Sequence, residues 1–261
     1  MNITLSITNG ETIRAEQSGT GEIWLVSQEA YQPGDVIRFT TDQQGFYLLR
    51  LEETLGPVLV YAHAGAFTLS VPFDEKKICY NPTAFTGDIH YLSARPAEPW
   101  ETEGLRDLSY NPLDCHENRS LFPHASANVE TRGESVFAAR NAIDGVVANH
   151  SHGAWPYASW GINRDPDAAL TLDFGRTVEI HQIVLYLRAD FPHDAWWKEA
   201  KVTFDETTTL TLPLVKSDRA QEFPVPPTKA KKLVLHDLVK ADDPSPFPAL
   251  TQIRVIGRET H

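Results

Sequence analysis

Cysteine is nearly absent from this chain: Cys79 and Cys115 are the only two in 261 residues. Two thiols cannot make a disulfide framework, and neither belongs to a Cys-x-x-Cys pair, so disulfide scaffolds and thiol-pair metal or redox motifs are excluded. Reduced, partly buried thiols of a cytosolic protein are the plain reading. Basic charge is also scarce, with 23 Lys and Arg against 35 Asp and Glu and a formal net charge of −12. Nucleic acid and anionic membrane surfaces both need a basic stripe, and none is visible. Sulfated or uronic-acid sugars would need local arginine or lysine pockets against this background, which favours neutral sugars. No apolar run is long enough to span a bilayer. The first residues, Met-Asn-Ile-Thr-Leu-Ser-Ile-Thr, alternate with period two and lack the basic and apolar regions of a signal peptide, so they read as a strand and the chain as cytoplasmic. Phosphate-cradling glycine loops and the Gly-x-Ser-x-Gly nucleophile elbow are missing.

What is present is a 41% hydrophobic share with 10% aromatics, enough to build real cores. Short apolar runs recur between Gly, Pro, Asn and Asp punctuation, the rhythm of an all-β fold. Residues 3–8, 22–26, 36–41, 46–52, 58–62, 66–71 and 89–94 read as strands of a small β-sandwich over residues 1–95. Tyr31-Gln32-Pro33-Gly34-Asp35 reads as a turn, with Pro setting one φ and Gly taking the positive φ after it. Residues 96–121 break the rhythm. Trp100, Leu105, Leu108, Tyr110 and Leu121 make them too apolar for a free linker, and they read as a packed connecting segment. Residues 122–261 open with the best helix candidate, 135–143, ended by Asp144-Gly145. Strands follow at 169–174, 180–188, 200–205, 208–214, 221–225, 231–235 and 251–256. Glu206-Thr207 reads as a hairpin whose turn is loose, because it lacks the usual glycine.

Read in order, this second half shows Ala125-Ser126-Ala127, Asn141-Ala142-Ile143-Asp144-Gly145, Ser159-Trp160, Leu172-Asp173-Phe174-Gly175-Arg176, Ile183-Val184-Leu185-Tyr186 and Ile253-Arg254-Val255-Ile256-Gly257. The series resembles the discoidin domain, also called the coagulation-factor 5/8 C-type domain, and the carbohydrate-binding modules that share its galactose-binding-like jelly roll. The resemblance covers roughly residues 122–258 and implies a discoidin-like β-sandwich there, which with the first sandwich makes an all-β chain of two β-sandwich domains. It also implies a structural calcium near Asp144, held with backbone carbonyls and an acid before the last strand. Here Gln252 stands where that acid is expected, which leaves hydrogen-bonded loop closure by Asp144 beside calcium as the two readings.

In such modules loops at one end of the sandwich hold the ligand. Sugars need an aromatic platform for their C–H face and polar forks for their hydroxyls. Two loops carry that chemistry: His150 to Tyr157, and Arg188 to Lys198. The named ligand-binding candidates are Trp155, His152, Arg188, His193, Asp194 and Trp196, with Trp160 and one of Trp196 and Trp197 expected in the core. The rival readings are a zinc site from His150, His152, His193 and Asp194, and a glycosidase pair from Asp190/Asp194 or Asp242/Asp243. Neither has a supporting motif, so no catalytic residue is named and no cofactor is required. The function expected is recognition of a saccharide partner, near millimolar for one sugar, or about 4 kcal/mol. Such a site becomes useful through several copies. The alternative is a protein-interaction module, including a homo-oligomer, that uses the same rim.

Overall fold

A computed structural model describes residues 1–150, 153, 155–189 and 195–260. Antiparallel strands dominate, as the alternating pattern requires. The first sheet runs β2 (Thr12–Thr20), β1 (Asn2–Asn9), β4 (Asp35–Thr41), β7 (Gly65–Ser70). The second runs β10 (Leu121–Phe122), β6 (Val58–Ala62), β5 (Gly45–Arg50), β8 (His90–Pro96), β3 (Ile23–Ser27). Alternate residues of both sheets, among them Ile3, Leu5, Ile37, Phe39, Tyr47, Leu49, Val60 and Leu92, are buried in one core. The expected turn forms: Asp35 N–H donates to Gln32 O at 3.0 Å, and Gly34 takes φ +93°.

The third sheet is built on two long bent strands, β13 (Leu170–Leu187) and β16 (Gln221–Lys240). The first half of β13 lies between β11 (His124–Ala127) and the second half of β16. Its second half lies between the first half of β16 and β17 (Ala249–Glu259). β14 (Trp197–Phe204) and β15 (Thr208–Pro213) extend the first group, whereas β12 (Trp160–Gly161) and β9 (Arg106–Asp107) flank β17. The register of β13 breaks between Asp173 and Val178, where Gly175 adopts φ +69°. Each long strand therefore serves both layers of a sandwich. Leu170, Leu172 and Phe174 meet Ile183, Leu185, Leu187, Trp160 and Trp197 in a single core. This is an all-β chain with the jelly-roll sandwich that the motif order implies.

Three local expectations change. Residues 135–143 form no α-helix but two 3-10 turns, Ser135–Phe137 and Ala139–Ile143, separated by extended Ala138. Residues 138–143 are all buried, and Asn141 Nδ2 donates to Ser135 O at 2.8 Å, capturing a carbonyl a helix would use. The β14–β15 turn is tight rather than loose: Asp205 and Glu206 both hold positive φ, and Thr207 N–H closes on Phe204 O at 3.0 Å. Asp205 stands in for glycine because its carboxylate accepts the backbone N–H of Lys231 and Lys232. In the connecting segment Leu108 and Leu121 are buried, but Trp100 and Leu105 are 67% and 59% exposed.

The two cores are tied together at several points. β10 adds residues 121 and 122 to the edge of the second sheet. Glu259 pairs with both Arg106 and Arg176, and Arg176 lies 4.7 Å over Phe46 and 5.0 Å over Tyr61. Arg140 is buried among groups from both halves. Among the described residues no helix is long and apolar enough to cross a membrane.

Candidate functional site

Antiparallel pairing decides which loops meet. Leu187 at the end of β13 faces Leu250 near the start of β17, and Gly161 of β12 faces Ala249. The residues after β13, after β12 and before β17 therefore share one end of the sandwich. There they enclose a cavity of about 260 Å³, lined by Thr131, Arg132, Phe137, Ser159, Asn163, Arg164, Arg188 and Phe247 together with Gly161, Ile162, Pro248 and Ala249. The size lies below the roughly 300–1,000 Å³ of sites for drug-sized ligands.

Local chain chemistry shapes it. Asn163 and Arg164 both hold left-handed φ, and Asp165 N–H closes the turn on Ile162 O at 2.9 Å. Asn tolerates that conformation; for a non-glycine residue such as Arg it costs about 1–3 kcal/mol. Asn163 N–H donates to Thr131 Oγ1 at 2.9 Å, fastening the turn to the loop where Arg132 is also left-handed. The turn carries the Arg164 guanidinium 4.3 Å over the Phe247 ring. Phe247 remains 42% exposed. Ser159 is fully buried, and its hydroxyl has no hydrogen-bond partner among the described residues.

The residues singled out from the sequence are distributed differently. Arg188 is buried in the cavity wall, donates to Tyr157 O, and lies 4.3 Å over the Tyr157 ring, so it braces that loop. Trp155 is half-buried and lines another cavity of about 290 Å³ with Tyr80, Tyr110, Arg140 and Asp144. Trp196 is half-buried against the C-terminal core, whereas Trp160 and Trp197 are inside it. His152, Asp190, His193 and Asp194 lie outside the described residues. Of the zinc candidates only His150 is described, and among the described residues no group of three His, Cys, Asp or Glu is gathered to hold a metal. Asp243 accepts Ser245 N–H at 2.9 Å, which first of all holds its carboxyl below the usual range, the state of a turn-shaping acid and not of a proton donor. Phe247 and Arg164 escaped the sequence reading. Their signals were an aromatic between Pro246 and Pro248 just before the last strand, and an Asn-Arg pair just after Trp160-Gly161-Ile162.

Asp144 sits at the opposite kind of site, one closed on itself. Its carboxylate accepts Val146 N–H at 2.9 Å and Gln252 Nε2 at 2.6 Å. Gln252 Oε1 accepts Gly145 N–H at 3.0 Å, which fixes the orientation of the amide, and its Nε2 also donates to Asn141 O. The amide thus donates into the carboxylate and into a carbonyl that calcium would take. Burial pushes the Asp144 carboxyl up to about 6, although Arg140 and these hydrogen bonds oppose the rise. A raised acid is protonated more readily folded than unfolded. Stability therefore falls as pH climbs from about 3.8 to about 6, and the ionised group costs up to about 3 kcal/mol above that window. Asp144→Asn keeps an acceptor for Val146 and Gln252. Relative to the parent it is expected to gain about 1–3 kcal/mol between pH 4 and pH 7.5 in urea unfolding; a difference that stays flat across those pH values contradicts the assignment.

No family model and no curated protein matches this chain. Similar solved structures include chitosan-binding module 1 from a Paenibacillus sp. IK-5 chitosanase/glucanase, 16% identical over 59% of this chain and 100% of that one, with a TM-score of 0.39. A family 32 carbohydrate-binding module from C. perfringens NanJ, in complex with galactose, is 15% identical over 51% and 91%, with a TM-score of 0.39. The lectin domain of lectinolysin, complexed with Lewis B antigen, is 16% identical over 59% and 98%, with a TM-score of 0.43. The jelly roll described here rests on its own strand pairing, and the chain is similar in outline to these modules.

Proposed function

We propose that this chain is a non-catalytic saccharide-binding protein, and that the cavity beneath Phe247 is its binding site. The observation that carries the reading is the buried Ser159 hydroxyl, without a partner among the described residues, in a cavity walled by Phe137 and Phe247. A buried unpaired hydroxyl costs about 1–3 kcal/mol until a ligand group supplies its bond. Two aromatic walls suit the C–H face of a sugar ring, and the Asn163 side chain adds hydrogen-bonding groups. A shallow single-sugar site of this kind binds near millimolar, about 4 kcal/mol, so its use requires repeated copies or a polymeric ligand. In this reading residues 1–95 and 122–261 are two domains that the 96–121 segment and Arg140 hold together, and the first supports the second. The Asp144 loop needs no calcium, since Gln252 closes it.

The test is a glycan array followed by calorimetric titration of the retained sugars. Phe247→Ala is expected to weaken binding at least tenfold while leaving the unfolding midpoint within about 0.5 kcal/mol, as for an exposed side chain. If no glycan on the array is retained, or Phe247→Ala binds like the parent, the proposal is wrong.

A further inference from the structure

The chain as a whole is acidic, yet the cavity beneath Phe247 is lined by Arg132, Arg164 and Arg188 and, among the described residues, by no aspartate or glutamate. That is the local arginine pocket an acidic sugar would demand. The three guanidinium groups are not equivalent. Arg188 is committed to Tyr157, and Arg132 to Glu134 at 2.6 Å. Arg164 stacks on Phe247 and makes no ion pair among the described residues. The acid next to it in the chain, Asp165, turns its Oδ1 to Asp167 N–H at 2.9 Å. A guanidinium held over an aromatic ring, with no ion pair among the described residues, keeps donors for a ligand, and its planar fork matches a carboxylate two bonds at a time.

We propose that this cavity selects a saccharide bearing a carboxylate, with Arg164 as the residue that reads the acid. The inference rests on the saccharide-binding reading above and specifies the class of sugar. The ring lies along Phe247, its carboxylate meets the Arg164 fork, and a ring hydroxyl reaches Ser159 Oγ. The electrostatic attraction is local, since the Debye length at physiological salt is about 8 Å, so the net negative charge of the chain does not cancel it.

The experiment titrates the protein with two matched pairs, galacturonate with galactose and glucuronate with glucose, with sodium acetate as a carboxylate lacking a sugar ring. In at least one pair the acid is expected to bind at least tenfold more tightly than its neutral partner at 20 mM salt. That advantage shrinks at 500 mM salt and is lost in Arg164→Asn, a variant whose new residue suits the left-handed backbone at this position. Phe247→Ala weakens acid and neutral sugar alike. Equal binding of acid and neutral sugar overturns the inference and leaves saccharide binding standing, as does an acid preference that Arg164→Asn retains. Acetate binding as tightly as the uronates makes the cavity a simple anion site and overturns it as well. Absence of binding by all four sugars overturns this inference, while the glycan array decides the saccharide-binding reading separately.

Discussion

Replacing Arg140 with methionine is expected to cost about 2–6 kcal/mol of stability, because the buried acceptors it serves are left unpaired. The guanidinium is fully engaged. Nε donates to Asp114 O at 2.9 Å, Nη2 to Pro112 O at 3.0 Å, and Nη1 to Asn141 Oδ1 at 3.0 Å, with Cys79 Sγ at 3.7 Å. The Tyr80 ring lies 4.5 Å beneath. One side chain thus joins the first sandwich, the connecting segment and the second sandwich. Methionine fills much of the volume but abandons two buried carbonyls, each costing about 1–3 kcal/mol when unpaired. Lysine keeps the charge and still fails, because one ammonium on a flexible stem cannot serve partners in three directions. Guanidinium chloride unfolding measures the loss. The parent is expected to unfold in one transition, and Arg140→Met in two as the halves come apart. A midpoint shift worth less than about 1 kcal/mol, with one transition preserved, would show that the clamp is dispensable.

Gly257→Ala is expected to be nearly as damaging, at about 3 kcal/mol, the upper part of the range for forcing extra volume into a packed core. A Cβ at this position would stand 2.3 Å from Glu179 O and 2.6 Å from Leu108 Cδ1. The carbonyl belongs to the β13 backbone and cannot rotate away, so β13 and β17 must part around Ile180 and Gly257, the end of their ladder remote from Leu187 and Leu250. For a chain of this length the loss corresponds to about 6–12 °C in Tm. Gly45→Ala is the matched control: its nearest contact is Tyr47 at 4.0 Å, and its change should stay below about 1 kcal/mol. Equal Tm values for the two variants would refute the argument from close approach.

These two positions also show how much was legible in advance. Gly257 ends the last motif of the discoidin-like series, and the structure supplies the cause, which is a neighbouring backbone too near for any side chain. Arg140 sits within a segment that reads as a plain helix. Nothing in its neighbours announces that its partners lie at residues 79, 112 and 114. β2 went unread because Thr-Ile-Arg-Ala-Glu-Gln-Ser-Gly-Thr does not alternate. It is an edge strand, where polar residues protect the open side and no inner face is demanded. The jelly-roll strands were legible for the converse reason, since each must bury one face and so carries the period-two pattern.

The candidate site divides the same way. Sequence alone pointed to loops at one end of the second sandwich, because strand order and motif order say which loops share an end. It also determined that Trp160 belongs inside, and that Arg188 stands at that end. Only the tertiary structure decided that Arg188 braces Tyr157, that Trp155 faces another cavity, and that Arg164, Phe247 and Ser159 converge. Alternation along a strand reports which side faces a core, and it is blind to which distant side chains meet across a rim. That meeting is set by strand register and by the left-handed turn at Asn163 and Arg164, and both exist only once the sheets have paired.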